Sequence, residues 1–228
     1  MLATPVTAHL ADAHLAADAG VPALVEKPPA PDAAGAAELA ALTPAPWVGF
    51  NRRFEPGVGR LRASTPPGEE VGVILEIGYR RAGWGAHSAV DDALLDLGPH
   101  LVDLARWITR ADVTDVRRVT VTPEHAEFDL VMGPARARIR CSTNLPHREL
   151  TEVRHRDGRL LGRTRKGGLV AAVMGRLNPG PHPLEASLTA QLEAFAAAVR
   201  GEPQPALARA VDGVAVMEAL DEVRAASR

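Results

Sequence analysis

The sequence has one cysteine, few aromatic residues and almost no excess of charge of either sign. Cys141 has no second cysteine to pair with, so an intramolecular disulfide framework is excluded and a reducing cytoplasm is the expected location. Lys and Arg total 26 while Asp and Glu total 28, a net charge of −2. No overall basic field therefore exists for nucleic acid or an anionic membrane surface, and neither partner is expected.

Long apolar runs and metal-ligand patterns are also missing. No stretch reaches the roughly 18 apolar residues of a membrane-spanning helix, and no basic region followed by an apolar one opens the chain. The eight histidines form no H-x-H or H-x-x-x-H pair, so no metal site is expected. With 46% hydrophobic and 24% charged residues over 228 positions, the composition is that of a soluble globular protein with a substantial core.

The first 50 residues alternate short apolar runs with helical patterns. Apolar runs at the amino terminus, at 23–25 and at 47–50 are separated by predicted helices at 9–19 and 33–42. This alternation predicts α/β structure with parallel βαβ units, in which the carboxyl ends of the strands face a ligand crevice.

The remaining residues, 51–228, predict a second domain of the α+β class. A helical connector is followed by strands separated by turn signals, of which Gly133-Pro134 and Asp157-Gly158 favour hairpins. We expect an open, predominantly antiparallel sheet with helices on one face. The predicted strands are 71–79, 116–121, 126–132, 135–142 and 150–156, and the predicted helices are 93–108, 184–200 and 206–226.

Asp96 and His100 are the sharpest candidates for chemistry. They are four residues apart in a predicted helix, so their side chains share one face. A carboxylate so placed can orient an imidazole and raise its basicity, as a general base requires, although such a pair also occurs as plain surface decoration. Asp91 or Asp92 can cap the helix predicted from residue 93. Pro99 suggests the alternative that the helix begins near it, which would put His100 close to the positive end of the helix dipole.

Glu26-Lys27-Pro28 forms the second candidate. The prolines stop the preceding apolar run and place Lys27 at the carboxyl end of a predicted parallel strand, where an ammonium can polarise a substrate oxygen. A solvated turn is the alternative interpretation. Thr4-Pro5 occupies the corresponding turn after the first apolar run, where the Thr4 hydroxyl can bind a ligand.

Four short motifs follow one another along the chain, and closing helices follow them at 188–226. Each motif is weak alone, and the order and spacing carry the information. The motifs are Ala3-Thr4-Pro5 with His9, Glu26-Lys27-Pro28, Gly49-Phe50-Asn51-Arg52-Arg53-Phe54-Glu55-Pro56, and Asp96-x-Gly98-x-His100-x-x-Asp103.

In order and spacing these motifs resemble the Gfo/Idh/MocA family of sugar and polyol oxidoreductases, over nearly the whole chain. The resemblance implies a Rossmann dinucleotide-binding domain, of which residues 1–50 would be the carboxyl-terminal half, and a substrate and oligomerisation domain at 51–228. It implies NAD or NADP as cofactor, a sugar or polyol as substrate, and a homo-oligomer formed through the open sheet.

The resemblance also assigns roles to individual residues. Lys27 would contact substrate and nicotinamide, His100 would exchange a proton with the reacting hydroxyl, and Asp96 would be its partner on the substrate side. From the residues themselves, the loop before Asp96 offers further candidates for substrate contacts, with simple exposure as the alternative: Arg80, Arg81, Trp84 and His87. The residues expected to line the nicotinamide end of the cofactor cleft are Thr4, Pro5, His9, Glu26 and Lys27.

The sequence departs from the family pattern in two places. Val6 stands where asparagine usually follows the proline of the first turn, and no G-x-G-x-x-G occurs in the 228 residues. Gly57-Val58-Gly59 is nearest, but Arg62 replaces its third glycine. The chain is therefore either part of a longer dehydrogenase, which we favour, or a cofactor-free paralogue with a structural, regulatory or non-redox proton-transfer role.

Overall fold

The computed structural model has six α-helices and nine β-strands within its described residues, which are 1–81, 92–167 and 183–228. None of the described helices has the length and apolar character needed to cross a membrane. The helices are α1 (His9–Asp18), α2 (Ala33–Ala41), α3 (Pro56–Ser64), α4 (Ala93–Thr109), α5 (Pro183–Val199) and α6 (Ala210–Ala226). The strands are β1 (Leu24–Glu26), β2 (Trp47–Gly49), β3 (Val71–Arg80), β4 (Asp115–Thr122), β5 (His125–Met132), β6 (Ala135–Ser142), β7 (Asn144–His155), β8 (Leu160–Gly167) and β9 (Ala208–Arg209).

The chain divides into two compact units. The first comprises Met1–Glu55 with Pro183–Asp221, and the second comprises Pro56–His182 with Glu222–Arg228. The amino-terminal segment thus groups with most of the closing helices. The functional domain limits expected from the sequence, at residue 50, stay a prediction.

A small mixed sheet forms the centre of the first unit. Strands β1 and β2 are parallel, and Leu2 forms a parallel bridge with Val25 on the other side of β1. These contacts confirm the predicted parallel βαβ arrangement. The two-residue strand β9 pairs antiparallel with β2 and completes the order β1-β2-β9.

The segment after β2 anchors the closing helices within the first unit. Asn51 and Arg53 are both buried, at 5% exposure. The Asn51 side-chain amide donates to the Ser187 hydroxyl of α5 at 3.0 Å, and Arg53 lies 3.5 Å from the Asp212 carboxylate of α6. Because buried polar groups are costly unless paired, these contacts fix both helices against the end of β2.

The second unit is built on a six-stranded sheet in the order β4-β5-β6-β3-β7-β8. Every pair is antiparallel except β3 with β6, which is parallel. Buried side chains alternate with charged, more exposed ones along β5 and β6, so one sheet face supplies the core, with Phe128 and Ile139 at 0% exposure. Helix α4 packs on β3, β5 and β6. The predicted α+β sheet with helices on one face is confirmed.

Helix α4 corrects one expectation. It begins at Ala93, where the Asp92 carboxylate accepts a hydrogen bond from the Leu95 amide at 2.7 Å, and Pro99 lies inside it. The expectation that the helix starts near Pro99 is wrong, because the cap and a buried apolar face outweigh the hydrogen bond that a proline removes. His100 is consequently in the middle of the helix, away from the positive end of its dipole.

Candidate active site

The Lys27 segment, Glu26–Pro29, leaves the carboxyl end of β1. Leu24 and Val25 are completely buried and hold the strand in the sheet, and Glu26 pairs with Gly49 at the end of β2. Pro28 and Pro29 are buried while Lys27 is half-buried, and the Lys27–Pro28 peptide bond is cis. The sequence prediction that Lys27 stands at the carboxyl end of a parallel strand is confirmed.

Glu26 is a carboxyl group in a restricted space. The Lys27 amide donates to Glu26 Oε2 at 3.2 Å. Burial raises the pKa of Glu26, and the Lys27 amide and the charges of Lys27 and His9 act in the opposite direction. Residue 49 has to be small, since a Cβ there would lie 3.2 Å from both Cα and Oε2 of Glu26.

His9, Thr4 and Pro5 lie beside the Lys27 segment in the first unit. His9 is 2% exposed and its ring faces backbone carbonyls, with Nε2 2.9 Å from the Thr4 oxygen and Nδ1 3.1 Å from the Pro28 oxygen. The exposed Thr4 hydroxyl donates to Asp12 Oδ2 at 2.7 Å. The structure therefore brings Thr4, Pro5, His9, Glu26 and Lys27 into one connected cluster, and their role toward a cofactor stays a prediction.

The Asp96 cluster of the second unit consists of Tyr79, Arg81, Asp96 and His100. The Tyr79 hydroxyl donates to Asp96 Oδ2, and Arg81 Nη2 lies 3.2 Å from the same oxygen. Asp96 and Arg81 are 22% and 18% exposed, so water screens their ion pair only in part. One helical turn beyond Asp96, His100 is 8% exposed.

Tyr79 is held in its protonated form. Burial, followed by the hydrogen bond to the Asp96 carboxylate, raises the pKa of Tyr79 to about 12 against the opposing effect of Arg81. At neutral pH the hydroxyl is therefore a constant donor to Asp96. Sequence analysis missed Tyr79, although Leu75, Ile77 and Tyr79 alternate along one face of the predicted strand and that pattern points toward α4.

The predicted substrate contacts are only partly visible. Arg80 is exposed at the end of β3, and its neighbour Arg81 is the arginine that contacts Asp96. Trp84 and His87 lie outside the described residues. Among the residues that the structure describes, no group of three or more His, Cys, Asp or Glu side chains is placed to hold a metal ion.

A nicotinamide dinucleotide fits the described residues at one end only. The Lys27 segment offers a cation and a carboxyl group of raised pKa, which suit the polar nicotinamide end. For a pyrophosphate, the start of α2 is closed, since the Ala33 amide donates to Asp221 at 2.8 Å and the Gly35 amide to Asp32 at 2.9 Å. Within residues 1–81, 92–167 and 183–228, the nearest glycine pattern at a helix start is Gly57-Val58-Gly59, which lies inside α3 and lacks the third glycine.

One curated protein similar in sequence is a dehydrogenase by name. No protein-family model matches the chain. A myo-inositol dehydrogenase from Streptomyces leeuwenhoekii is 34% identical over 121 residues, which are 48% of this chain and 36% of that protein. The matched region thus spans about a third of the length of that relative.

Solved structures match almost the whole chain. Myo-inositol 2-dehydrogenase from Lactobacillus plantarum has a TM-score of 0.77 at 16% identity, covering 99% of this chain and 76% of its own. GenD2 from gentamicin A biosynthesis, solved in complex with NAD, has a TM-score of 0.76 at 21% identity, covering 99% and 74%. UDP-N-acetylglucosamine 3-dehydrogenase from Acidithiobacillus ferrooxidans has a TM-score of 0.72 at 22% identity, covering 98% and 76%. The chain has the fold of these dehydrogenase structures, and this is the fold that the resemblance of its four motifs implies.

Proposed function

We propose that the chain is an NAD(P)-dependent oxidoreductase, or a part of one. The enzyme would transfer hydride between a nicotinamide and a hydroxyl-bearing carbon of a sugar, polyol or related compound. The observation that carries the proposal is the Asp96 cluster, in which a carboxylate fixed by Tyr79 and Arg81 lies one helical turn from the buried His100. Relatives in sequence and in fold are dehydrogenases by name, which supports the same reaction class.

In this proposal His100 moves the proton of the reaction. During oxidation a ring nitrogen of His100 takes the proton from the substrate hydroxyl, and during reduction the same nitrogen returns it. Asp96 stabilises the imidazolium that forms, while Tyr79 and Arg81 hold the Asp96 carboxylate in position. A bound nicotinamide supplies the hydride acceptor or donor.

Lys27 is the proposed contact to both substrate and nicotinamide. Thr4, Pro5, His9 and Glu26 would line the nicotinamide end of the cofactor site beside it. The residues described do not form a pyrophosphate cradle, so no role in binding that group is assigned to them. Whether NAD or NADP is used depends on residues that contact the adenosine end.

The substrate class follows from the same comparison. Arg80 and Trp84 are the proposed substrate ligands beside Asp96, and a cyclic polyol is the first compound to test because two relatives are inositol dehydrogenases. We further propose a cytoplasmic homo-oligomer in which the open face of the six-stranded sheet is the subunit contact.

The test combines cofactor binding with turnover. Calorimetry of the 228-residue chain with NAD⁺, NADH, NADP⁺ and NADPH measures binding, and absorbance at 340 nm measures oxidation of cyclic polyols and sugars. We expect His100→Asn to lower kcat by about 10²–10⁴-fold, the range for loss of a general base. His147→Asn, at an exposed histidine of β7, is the matched control and should change kcat less than about twofold. Turnover that survives His100→Asn would refute the assignment.

A cofactor-free role is the second candidate, and the missing G-x-G-x-x-G is the observation that favours it. In that case none of the four nucleotides binds or raises Tm. Solvent proton exchange on a polyol-derived ketone, dependent on His100, would then identify non-redox proton transfer, and its absence would leave a structural or regulatory subunit.

A further inference from the structure

His9 is a buried histidine whose ring is surrounded by backbone oxygens. Its side chain is 2% exposed, and Nε2 lies 2.9 Å from the Thr4 carbonyl oxygen. On the other side of the ring, Nδ1 lies 3.1 Å from the Pro28 oxygen and 3.3 Å from the Pro29 oxygen. A ring in this position spans from the first turn of the chain to the Lys27 segment.

The first turn of the chain and the Lys27 segment both lie just beyond the hydrogen bonds that pair Leu2 with β1. Leu2 is tied to β1 by hydrogen bonds with Leu24 and Glu26, at 2.8 and 2.9 Å. Beyond these bonds the chain turns away at Thr4, and Pro28 and Pro29 have no N–H with which to continue a ladder. Their buried carbonyls still need donors, because an unsatisfied buried carbonyl destabilises the structure.

Carbonyl oxygens only accept hydrogen bonds, so the ring has to donate from each nitrogen to satisfy both sides. A neutral imidazole has one N–H and satisfies one side, whereas the doubly protonated ring satisfies Thr4 and Pro28 together. The hydrogen-bond geometry on the two sides of the ring thus favours two ring donors.

We propose that His9 is a positioning residue, a doubly donating clamp that holds Lys27 in place through the carbonyls of Thr4, Pro28 and Pro29. This inference rests on the proposed function only in that Lys27 is there assigned to substrate and nicotinamide. It gives His9 a different task from the direct cofactor contact expected from the sequence, because both ring nitrogens are occupied by the protein backbone.

The lysine content of the chain provides a direct test. Lys27 and Lys166 are the two lysines of the sequence, and Lys166, in the second unit, lies 3.3 Å from the Glu149 carboxylate. Trace acetylation with limiting acetic anhydride, read by peptide mass, reports the reactivity of each lysine across pH. Lys166 serves as an internal control for any global loss of structure.

The variants are His9→Phe and His9→Gln, with His14→Phe, at an exposed histidine of the same helix, as the matched control. Removing the ring donors leaves buried carbonyls unsatisfied, so the reactivity of Lys27 should change by about fivefold or more and its pH profile should shift. Lys166 should stay within about twofold in every variant. An unchanged Lys27 in His9→Phe, or equal changes at both lysines, would overturn the proposal.

A measurement on the unsubstituted chain covers the case in which a His9 variant does not fold. In a sample labelled with ¹⁵N-histidine at about pH 5, below the ordinary histidine pKa of about 6.5, both His9 ring N–H protons should exchange slowly with solvent, because each donates to a backbone carbonyl. Rapid exchange of either ring proton would contradict the clamp. Neither experiment needs nucleotide or turnover, so failure of the oxidoreductase proposal and failure of the clamp give separate results.

Discussion

The Lys27 segment of the first unit and the Asp96 cluster of the second unit are built in different ways. In the first unit, the Lys27 segment is a proline-containing turn whose backbone oxygens are held by a buried histidine. In the second unit, Asp96 and His100 stand on one long helix, and their relative position follows from four residues of helical periodicity. The relative position of two side chains on one helix is fixed by local backbone geometry. The position of a side chain on a turn depends on contacts with residues that are distant in the sequence.

This difference decides which substitutions damage each part. The Asp96 cluster should be sensitive to loss of the packing beneath α4 and of the side chains that hold Asp96. The Lys27 segment should be sensitive to small steric changes beside Glu26 and to loss of the His9 ring donors.

The largest expected effect comes from the core under α4. Leu101 is 1% exposed and follows His100 directly, so Leu101→Ala leaves a cavity in the second unit. We expect a loss of about 2–5 kcal/mol in the free energy of unfolding, measured by urea denaturation. Leu145→Ala, at a leucine 52% exposed, should change it by less than about 0.5 kcal/mol. Equal effects at both leucines would show that α4 is not held by a packed core.

The second effect is a loss of folding stability at high pH, which is expected when Tyr79 ionises. The sequence has one tyrosine, so tyrosinate absorbance at 295 nm reports this residue alone. Since the folded-state pKa is raised to about 12 from the ordinary value of 10, the stabilisation is complete below pH 10 and is lost as the pH rises toward 12. After allowance for solvent at this half-buried group, the loss should be about 1 kcal/mol.

Asp96→Asn tests the cause of that shift. Removing the carboxylate takes away one contribution to the raised pKa and leaves burial in place, so tyrosinate should form at a lower pH than in the unsubstituted chain. Asp129→Asn, on the exposed sheet face, is the control and should leave the titration unchanged. Coincident titration curves for the Asp96 variant and the unsubstituted chain would mean that the Tyr79 hydroxyl does not donate to Asp96.

Sequence patterns predicted those features that depend on near neighbours. The cap at Asp92, the turns at Gly133 and Gly158, and the spacing of Asp96 and His100 are local, and the structure contains all of them. Pairing of β3 with β6 in parallel is not local, because the choice of partner depends on the packed sheet as a whole.

The same limit applies to the site. His9 was recognisable as part of a motif, but the carbonyls that it faces belong to residues 19 and 20 positions away. Arg81 was recognisable as a candidate for substrate contacts, but its pairing with Asp96 was not, since the irregular pairing between Gly78 and Arg80 alters the simple alternation at the end of β3. Tertiary contacts of this kind leave no periodic signal in a single sequence.

The third effect is the loss of stability expected for Gly49→Ala, which tests the packing beside the Lys27 segment. In Gly49→Ala the new Cβ would lie 3.2 Å from Glu26 Cα and Oε2, so Glu26 has to move by a few tenths of an ångström. We expect a loss of about 1 kcal/mol in the free energy of unfolding. Gly59→Ala in α3 is the matched control: its Cβ meets nothing within 4 Å, and the substitution should stabilise the chain by about 0.5–1 kcal/mol. A stabilising Gly49→Ala would contradict the close contact with Glu26.

The smallest effect is expected on the charged face of the six-stranded sheet. Arg138 meets Asp129 across β6 and β5 through two contacts of 2.9 and 3.3 Å, with the arginine side chain 40% exposed. In a monomer, a double-mutant cycle with Arg138→Ala and Asp129→Ala should give a coupling of about 0.5 kcal/mol that salt reduces. If this face is the subunit contact that we propose, the pair is shielded from water, and the coupling should exceed about 1.5 kcal/mol and grow with protein concentration. The coupling measured at two protein concentrations therefore decides whether the open sheet of the second unit faces solvent or a second copy of the chain.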